Sequence, residues 1–453
     1  MEKFFKLSER DTDVRTEVLA GITTFVAMAY ILSVNPMILS ASGMDAGAVF
    51  TATALSSAIA TFFMALVANM PLVLSAGMGL NAFFAYTVVI AMGYTWQQAL
   101  AAVFVEGIIF VLLTLTNVRE AIFNAIPGVM KIAVSVGIGL FITFIGLQNA
   151  HIVVDGPTLV QMFSFHESLT NGTFRTAGIT VLLALIGVVI IAWLLIKNYQ
   201  GGILLGILIT WGLGMVCQIL GLYVPDPANG YFDLFPGGIV SLPASVAPTM
   251  LQMDFSNLLS FNFVTVLLSF LFVDMFDTIG TVIGCASKAN LLDKEGKLPG
   301  IKNVLMADAI GTTVGAMAGT STITTFVESS SGISAGGKTG LTAAVAGGLF
   351  LLALFFSPIF LAIPAFATAP ALIIVGFLMM QQVGRIDWQN NLTETIPAFI
   401  AIFSMAFMYS ISEGIAFGVI SYTVLHVFTG QRSTVTPLMY GLTVIFLLKY
   451  IFL

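Results

Sequence analysis

Long apolar runs separated by short polar connections fill almost the whole chain, and the runs have the length of helices, not strands. They lie at 17–39, 47–69, 76–92, 96–115, 128–147, 176–196, 201–221, 257–284, 302–318, 326–335, 339–358, 368–383, 394–410 and 412–429, fourteen in all. A helix needs about 20 residues to cross a hydrocarbon core of about 30 Å. The third and tenth runs fall short of that. Both follow stretches that do not read as helix: Pro71–Ser75, and Thr320–Thr325 with its β-branched composition. Non-helical backbone at membrane depth is tolerated only where it is buried in protein or lines a cavity. The polar stretch Gly319–Gly340, together with Pro71–Tyr86, is therefore the expected site, and the remaining runs are its scaffold. The apolar tail after Thr436 is expected to be a shallow, interfacial helix, because a fifteenth crossing would carry Lys449 to the outer side.

Composition sharpens this into a polytopic membrane protein. Hydrophobic residues make up 58% of the 453, charged residues 8%, and mean hydropathy is +1.03; a soluble protein carries roughly 25% charged residues. The N-terminal segment is charged, with Lys3, Lys6, Arg10 and Arg15, and does not read as a cleavable leader. With it inside, fourteen spans also place Arg119, Lys131, Lys197, Lys288, Lys294, Lys297, Lys302, Lys338, Arg385 and Arg432 inside, leaving only Arg175 outside and Lys449 undecided. The expected location is the cell membrane, multi-pass, with a cytoplasmic N-terminus and lipid around it. Cys217 and Cys285 give neither a disulfide framework nor a metal spacing, and no cofactor or nucleic-acid partner is expected.

The chain repeats itself. Ala125-Ile126-Pro127 and Ala362-Ile363-Pro364 each precede an apolar, Gly-containing run, and Gly202–Gly206 resembles Gly414–Gly418. Two halves of seven spans each must be inverted, and short, Gly-interrupted segments at matching positions point to a secondary transporter with its site near the midplane. Two half-helix N-termini would then meet there, offering free N–H donors and the positive ends of two dipoles.

Acids supply the candidate chemistry. Asp274 and Asp277 share a helical face at i, i+3, and two carboxylates so close resist double ionisation. Glu328 opens the second half-helix. Glu106 and Asp308 also lie within apolar runs; a hydrogen bond to a neighbouring helix is the favoured role for Glu106, whereas Asp308 fits structure or function equally, its helix marked for close packing by Gly311, Gly315 and Gly319. No Lys or Arg lies deeper than the first turn of these runs, so the acids must take up protons, hold a cation or accept hydrogen bonds from a ligand. Phe83 and Phe326, beside the breaks, are candidates to stack on a planar ligand. Gly332–Thr339 fits the G-x-x-x-x-G-K-[ST] pattern of phosphate-binding loops, but lacks the soluble strand–loop–helix context that such a loop needs.

The segments TEVLAGITTFVAMAYILSVNP (Thr16–Pro36), SAGMGLNAFFAYTVV (Ser75–Val89), DMFDTIGT (Asp274–Thr281) and FVESSSGISAGGKTGLTA (Phe326–Ala343) resemble the nucleobase–cation symporter family, in its AzgA-type purine branch. The resemblance covers nearly the whole chain. It implies an all-α fold of 14 spans in a 7+7 inverted repeat, with broken spans 3 and 10 carrying short β-strands. A core domain would comprise 1–127 (spans 1–4) and 257–360 (spans 8–11). A gate domain would comprise 128–256 (spans 5–7) and 361–453 (spans 12–14 and the tail). By the same resemblance Asp277, Glu328, Asn81 and Asp274 contact the base, Asp274 and Asp308 serve proton coupling, and the protein forms a homodimer; Phe83, Val327 and Ser329, beside the breaks, are further candidate contacts to the base.

The expected activity is import of purine nucleobases (guanine and hypoxanthine, or adenine) with a co-transported cation, H⁺, and no enzymatic reaction. An anion carrier of the same fold, a nucleotide-hydrolysing membrane enzyme and a passive channel are the alternatives. The acids oppose the first, and the missing domain context opposes the second.

Overall fold

The structure is a computed structural model that describes residues 2–116, 125–157, 159–256, 260–289, 291 and 298–452. Arg119, Lys294 and Lys297, counted above among the inner charges, lie outside these residues. A helix stands at every position where the hydropathy pattern places one, and among the described residues ten are long and apolar enough to cross a membrane. The first run is broken at Ala29-Tyr30 into Val14–Met28 and Ile31–Ser40.

The two short runs are half-helices, as expected. Strand β1 (Leu74–Ala76) leads into Met78–Ala82, which continues as a wider turn through Phe83–Ala91. Strands β2 (Val153–Gly156) and β3 (Leu159–Met162) pair antiparallel with each other in the connection after Gly128–Asn149. Strand β4 (Ile323–Thr325) leads into Ser329–Ser334. β1 and β4 pair antiparallel with Leu74 opposite Thr325, Ser75 opposite Thr324 and Ala76 opposite Ile323. Gly77 N donates to Thr322 O at 3.0 Å and Phe326 N to Val73 O at 3.0 Å, which extends the ladder at both ends. A two-stranded ribbon inside an apolar body leaves edge groups that need partners. Helix Ala46–Phe63 supplies them to β1: Thr61 Oγ1 bonds Leu74 N at 3.1 Å and Leu74 O at 3.2 Å, and Ser57 Oγ meets Ser75 Oγ at 2.7 Å. Thr312 Oγ1 donates to Ile323 O at 2.9 Å on the β4 side.

Small residues let this assembly close. The Gly311 and Gly315 faces of helix Ile301–Ala318 lie against Ile323, where a Cβ at Gly315 would come within 2.8 Å of its side chain. Gly319, at φ +97°, ends that helix in the left-handed conformation that glycine adopts at low cost. Gly139 of Gly128–Asn149 and Gly376 of Ala365–Met380 approach so closely that a Cβ on either would sit within 2.8 Å of the other's carbonyl oxygen.

The tail departs from the expectation of a shallow interfacial helix. Pro437–Phe452 packs antiparallel along Ile411–Phe428, with Thr443 Oγ1 donating to Thr423 Oγ1 at 2.8 Å and Met439 and Phe446 fully buried. Lys449 is buried too, because its ammonium pairs with Glu413, which Tyr450 also contacts. The charge that argued against a packed helix is neutralised by an acid in the first turn of the neighbour.

Candidate functional site

A cavity of about 680 Å³ opens between the two half-helices, inside the roughly 300–1,000 Å³ range of small-molecule sites. Gly77–Leu80 of the first and Thr325–Glu328, Ser330 and Ser331 of the second form its inner end. Helix Phe261–Lys288 contributes Val273, Phe276 and Asp277 to the wall. Lys131, Asn198, Gln200, Lys288 and Gln382, at or between helix ends, also line it.

Two carboxylates reach this space. Asp277 is half-buried and lies against Gly77: a Cβ there would stand 3.8 Å from its Oδ2. Glu328 is half-buried at the N-cap of Ser329–Ser334. Tyr30, at the break in the first span, donates its hydroxyl hydrogen to Glu328 Oε1 at 2.6 Å. That is a short, charge-assisted bond, and it fixes the carboxylate's direction. Phe326 and Val327 supply apolar wall beside it. Hydrogen-bond acceptors and apolar faces thus converge on one space, a pattern suited to a flat ligand edged with N–H donors. Tyr30→Phe removes a hydrogen bond worth about 1.5–3 kcal/mol to a charged group. Titration calorimetry with a purine base is expected to show binding weakened by roughly 10- to 100-fold.

Behind the cavity, alternate residues of Thr320–Thr325 anchor the second break. Thr320 Oγ1 accepts from Asn35 Nδ2 at 2.9 Å and lies 3.2 Å from Thr53 Oγ1. Thr322 Oγ1 donates to Glu106 Oε2 at 2.9 Å, and Thr324 Oγ1 lies 2.7 Å from Thr278 Oγ1. An extended backbone turns every second side chain to one face, so T-x-T-x-T aims three hydroxyls at polar groups of four different helices. Glu106 thereby takes the structural role favoured for it.

The remaining residues singled out in the sequence divide in two. Val327, Asp277 and Glu328 line the cavity. Asp274 and Asp308 are fully buried behind it, each with an Oδ1 2.9 Å from Thr278 Oγ1. Ser329 turns its hydroxyl to Val73 N at 3.0 Å and so ties the second half-helix to β1. Asn81 is fully buried and donates to Ala76 O at 3.3 Å, bracing the first half-helix. Phe83 packs edge-on against Phe270, ring centroids 4.8 Å apart, away from the cavity. Tyr30 carried no sequence signal beyond an aromatic residue in an apolar run.

The sequence profile of the Permease family matches residues 15–417. The chain belongs to this family of permeases. Among its relatives, the guanine/hypoxanthine permease PbuG of Bacillus subtilis is 44% identical, with 100% of both chains covered. The adenine permease AdeP of Escherichia coli is 43% identical over 100% of this chain and 96% of its own. In fold, the chain is similar to the transmembrane domain of the cyanobacterial bicarbonate transporter BicA, with a TM-score of 0.62 at 16% identity over 89% of this chain and 97% of that one. The protein is a transporter of the nucleobase–cation permease type and not an enzyme.

In this permease the phosphate-loop pattern has a different use. The amides of Lys338, Thr339 and Thr342 donate to the Glu17 carboxylate at 2.9, 3.2 and 3.2 Å, and Thr342 Oγ1 adds a bond of 2.6 Å. Glu17 is fully buried. A carboxylate of the chain itself sits where a phosphate would bind such a loop. Arg10 and Asn69 complete the clasp: Arg10 Nη1 donates to Asn69 O at 2.8 Å and Lys338 O at 2.7 Å, and Gly340 N donates to Asn69 Oδ1 at 2.8 Å. The Lys338 ammonium donates to Asp11 O, at 3.2 Å near the surface. Lys338→Ala is therefore expected to leave uptake within about twofold of the parent, and purified parent protein is expected to hydrolyse no ATP.

Proposed function

We propose that this permease imports purine nucleobases, guanine and hypoxanthine or adenine, across the cell membrane in symport with protons, as an AzgA-type member of its family. The observation that carries this reading is the pair of carboxylates, Asp277 and Glu328, on a cavity between two half-helix starts. Each can accept two N–H bonds from one edge of a base, and charge-assisted bonds of this kind are the stronger ones. The relatives named for adenine and for guanine/hypoxanthine transport support the substrate class. Asp274 inclines the choice toward guanine and hypoxanthine.

The chain crosses the membrane fourteen times in this reading, as two inverted halves of seven, and the tail packs beside the last crossing. Two observations favour the inversion. β1 and β4, from opposite halves, pair antiparallel, which is the relation that a two-fold axis between them produces. The helices that follow the two Ala-Ile-Pro sequences cross each other at Gly139 and Gly376. The core (1–127 and 257–360) carries the two carboxylates and moves against the gate (128–256 and 361–453), which contributes Ile138, Val375 and Met379 to the cavity wall. With the N-terminus cytoplasmic, the cavity opens inward. A homodimer is the assembly expected from the resemblance.

Uptake of labelled adenine, guanine, hypoxanthine, xanthine and uracil by cells lacking their own permeases tests the substrate class. Accumulation of one or more of the first three, abolished by a protonophore, is expected. Uptake of uracil alone, or of none, overturns the reading.

A further inference from the structure

We propose that Thr278 is the proton relay of this transporter, passing a proton between Asp274 and Asp308 behind the substrate cavity; the proposal rests on the proton-symport reading and names the residue that carries it out. Three groups surround the Thr278 hydroxyl. Its Oγ1 lies 2.9 Å from Asp274 Oδ1, 2.9 Å from Asp308 Oδ1 and 2.7 Å from Thr324 Oγ1. A hydroxyl has one hydrogen to give and two lone pairs to accept with, whereas an ionised carboxylate only accepts. The single hydrogen serves one aspartate. At 2.9 Å the other must present a hydrogen of its own, or two oxygen lone pairs would face each other in a fully buried site. The arrangement is complete with Asp274 or Asp308 protonated and Thr324 donating the third bond. With both acids ionised it is broken.

The same count describes a transfer. Protonated Asp274 gives its hydrogen to Thr278 Oγ1 while the Thr278 hydrogen passes to the Asp308 carboxylate. One proton moves from acid to acid, the hydroxyl is unchanged in composition, and rotation about its C–O bond resets it. The two protonation states differ in which aspartate is charged. Asp274 is one helical turn from the cavity-lining Asp277 on the same helix. Asp308 lies on the helix whose glycines grip β4. The proton's position is thus felt on the helix that carries Asp277 and, through Thr324, on the strand that leads to Glu328.

The titratable side chains of helix Phe261–Lys288 and of the elements packed against it include Glu106, Asp277, Cys285, Glu328, Glu413, Tyr422, His426, Tyr440 and Tyr450 besides the two aspartates. The cations of the neighbouring helices, Lys131, Lys288, Lys302 and Lys449, stand in first or last turns.

The test uses the full chain reconstituted in vesicles, with two readouts. Exchange of labelled for unlabelled base at equal pH requires the site but no net proton movement; accumulation driven by ΔpH alone requires coupling. Thr278→Val keeps the side chain's shape and removes the hydroxyl. It is expected to keep exchange within about threefold of the parent while losing at least about tenfold in ΔpH-driven accumulation. Thr278→Ser restores the hydroxyl and is expected to restore accumulation. If Thr278→Val does not fold, Thr278→Ala is judged by the same readouts. Hydroxyl-free variants that accumulate base like the parent, variants that lose exchange as fully as accumulation, or a serine variant no better coupled than the valine one overturn the relay. A parent that exchanges base but accumulates none under ΔpH removes the symport reading itself, whereas a coupled parent with a coupled Thr278→Val removes the relay alone.

Discussion

Glu328→Ala is expected to abolish purine uptake while the protein still reaches the membrane. The side chain accepts one bond, of 2.6 Å, from Tyr30 at the break in the first span. Its backbone position at the start of Ser329–Ser334 is kept by Ser329 Oγ on Val73 N and by Phe326 N on Val73 O. Truncation therefore spares the ribbon and removes the acceptor that a base would use. Removing one partner of a buried, charge-assisted contact costs roughly 2–5 kcal/mol, so uptake is expected to fall by about a hundredfold or more. Glu328→Gln keeps the shape but presents one acceptor oxygen in place of two, and is expected to fall between alanine and the parent. Parent-like uptake by Glu328→Ala at equal surface expression would remove Glu328 from the site.

Glu17→Ala is expected to have the largest effect on stability. Four donors converge on this fully buried carboxylate, three of them backbone amides at or before the first turn of Gly340–Ala353. Those amides lie at the positive end of a helix dipole, and a negative charge there is favourable. Alanine removes the acceptor of all three amides, while Thr342 Oγ1 keeps only its 3.3 Å contact with the Glu17 backbone oxygen. Stripping one side of a buried charged network costs about 3–5 kcal/mol, enough to lower the melting temperature in detergent by several degrees and to reduce surface expression. Glu17→Gln retains one acceptor oxygen and should lie between the two. A Glu17→Ala protein that melts with the parent would mean that the clasp contributes no net stability. The contrast with Lys338→Ala is the informative part: within one G-K-T stretch the lysine side chain is dispensable and the backbone amides are not.

How far the sequence revealed this arrangement depended on what each residue's neighbours were. The two breaks were legible because lipid permits polar, non-helical backbone only in a protected site, and both runs were too short to cross. The alternating threonines of TSTITT announced a strand, and the structure adds why they alternate: each hydroxyl has a partner on another helix. Tyr30 was illegible because an aromatic in an apolar run reads the same whether it faces lipid or Glu328. Glu17 was hidden at the edge of a span, where an acid usually meets water. In the sequence Asp274 and Asp277 look like a pair. A spacing of three residues leaves about 60° between side chains on a helix, enough to send Asp277 to the cavity and Asp274 to Thr278. Lys449 misdirected the reading of the tail because its partner, Glu413, lies 36 residues away in sequence.

The central claim is that these carboxylates couple a purine base to protons. It is tested most directly by reconstituting the purified protein in vesicles, imposing an inward ΔpH with no other gradient, and measuring internal labelled hypoxanthine or adenine against time. The account predicts accumulation above the external concentration, collapse on adding a protonophore, and none in Glu328→Ala vesicles. Equilibration without accumulation, or accumulation that survives the protonophore, would contradict it.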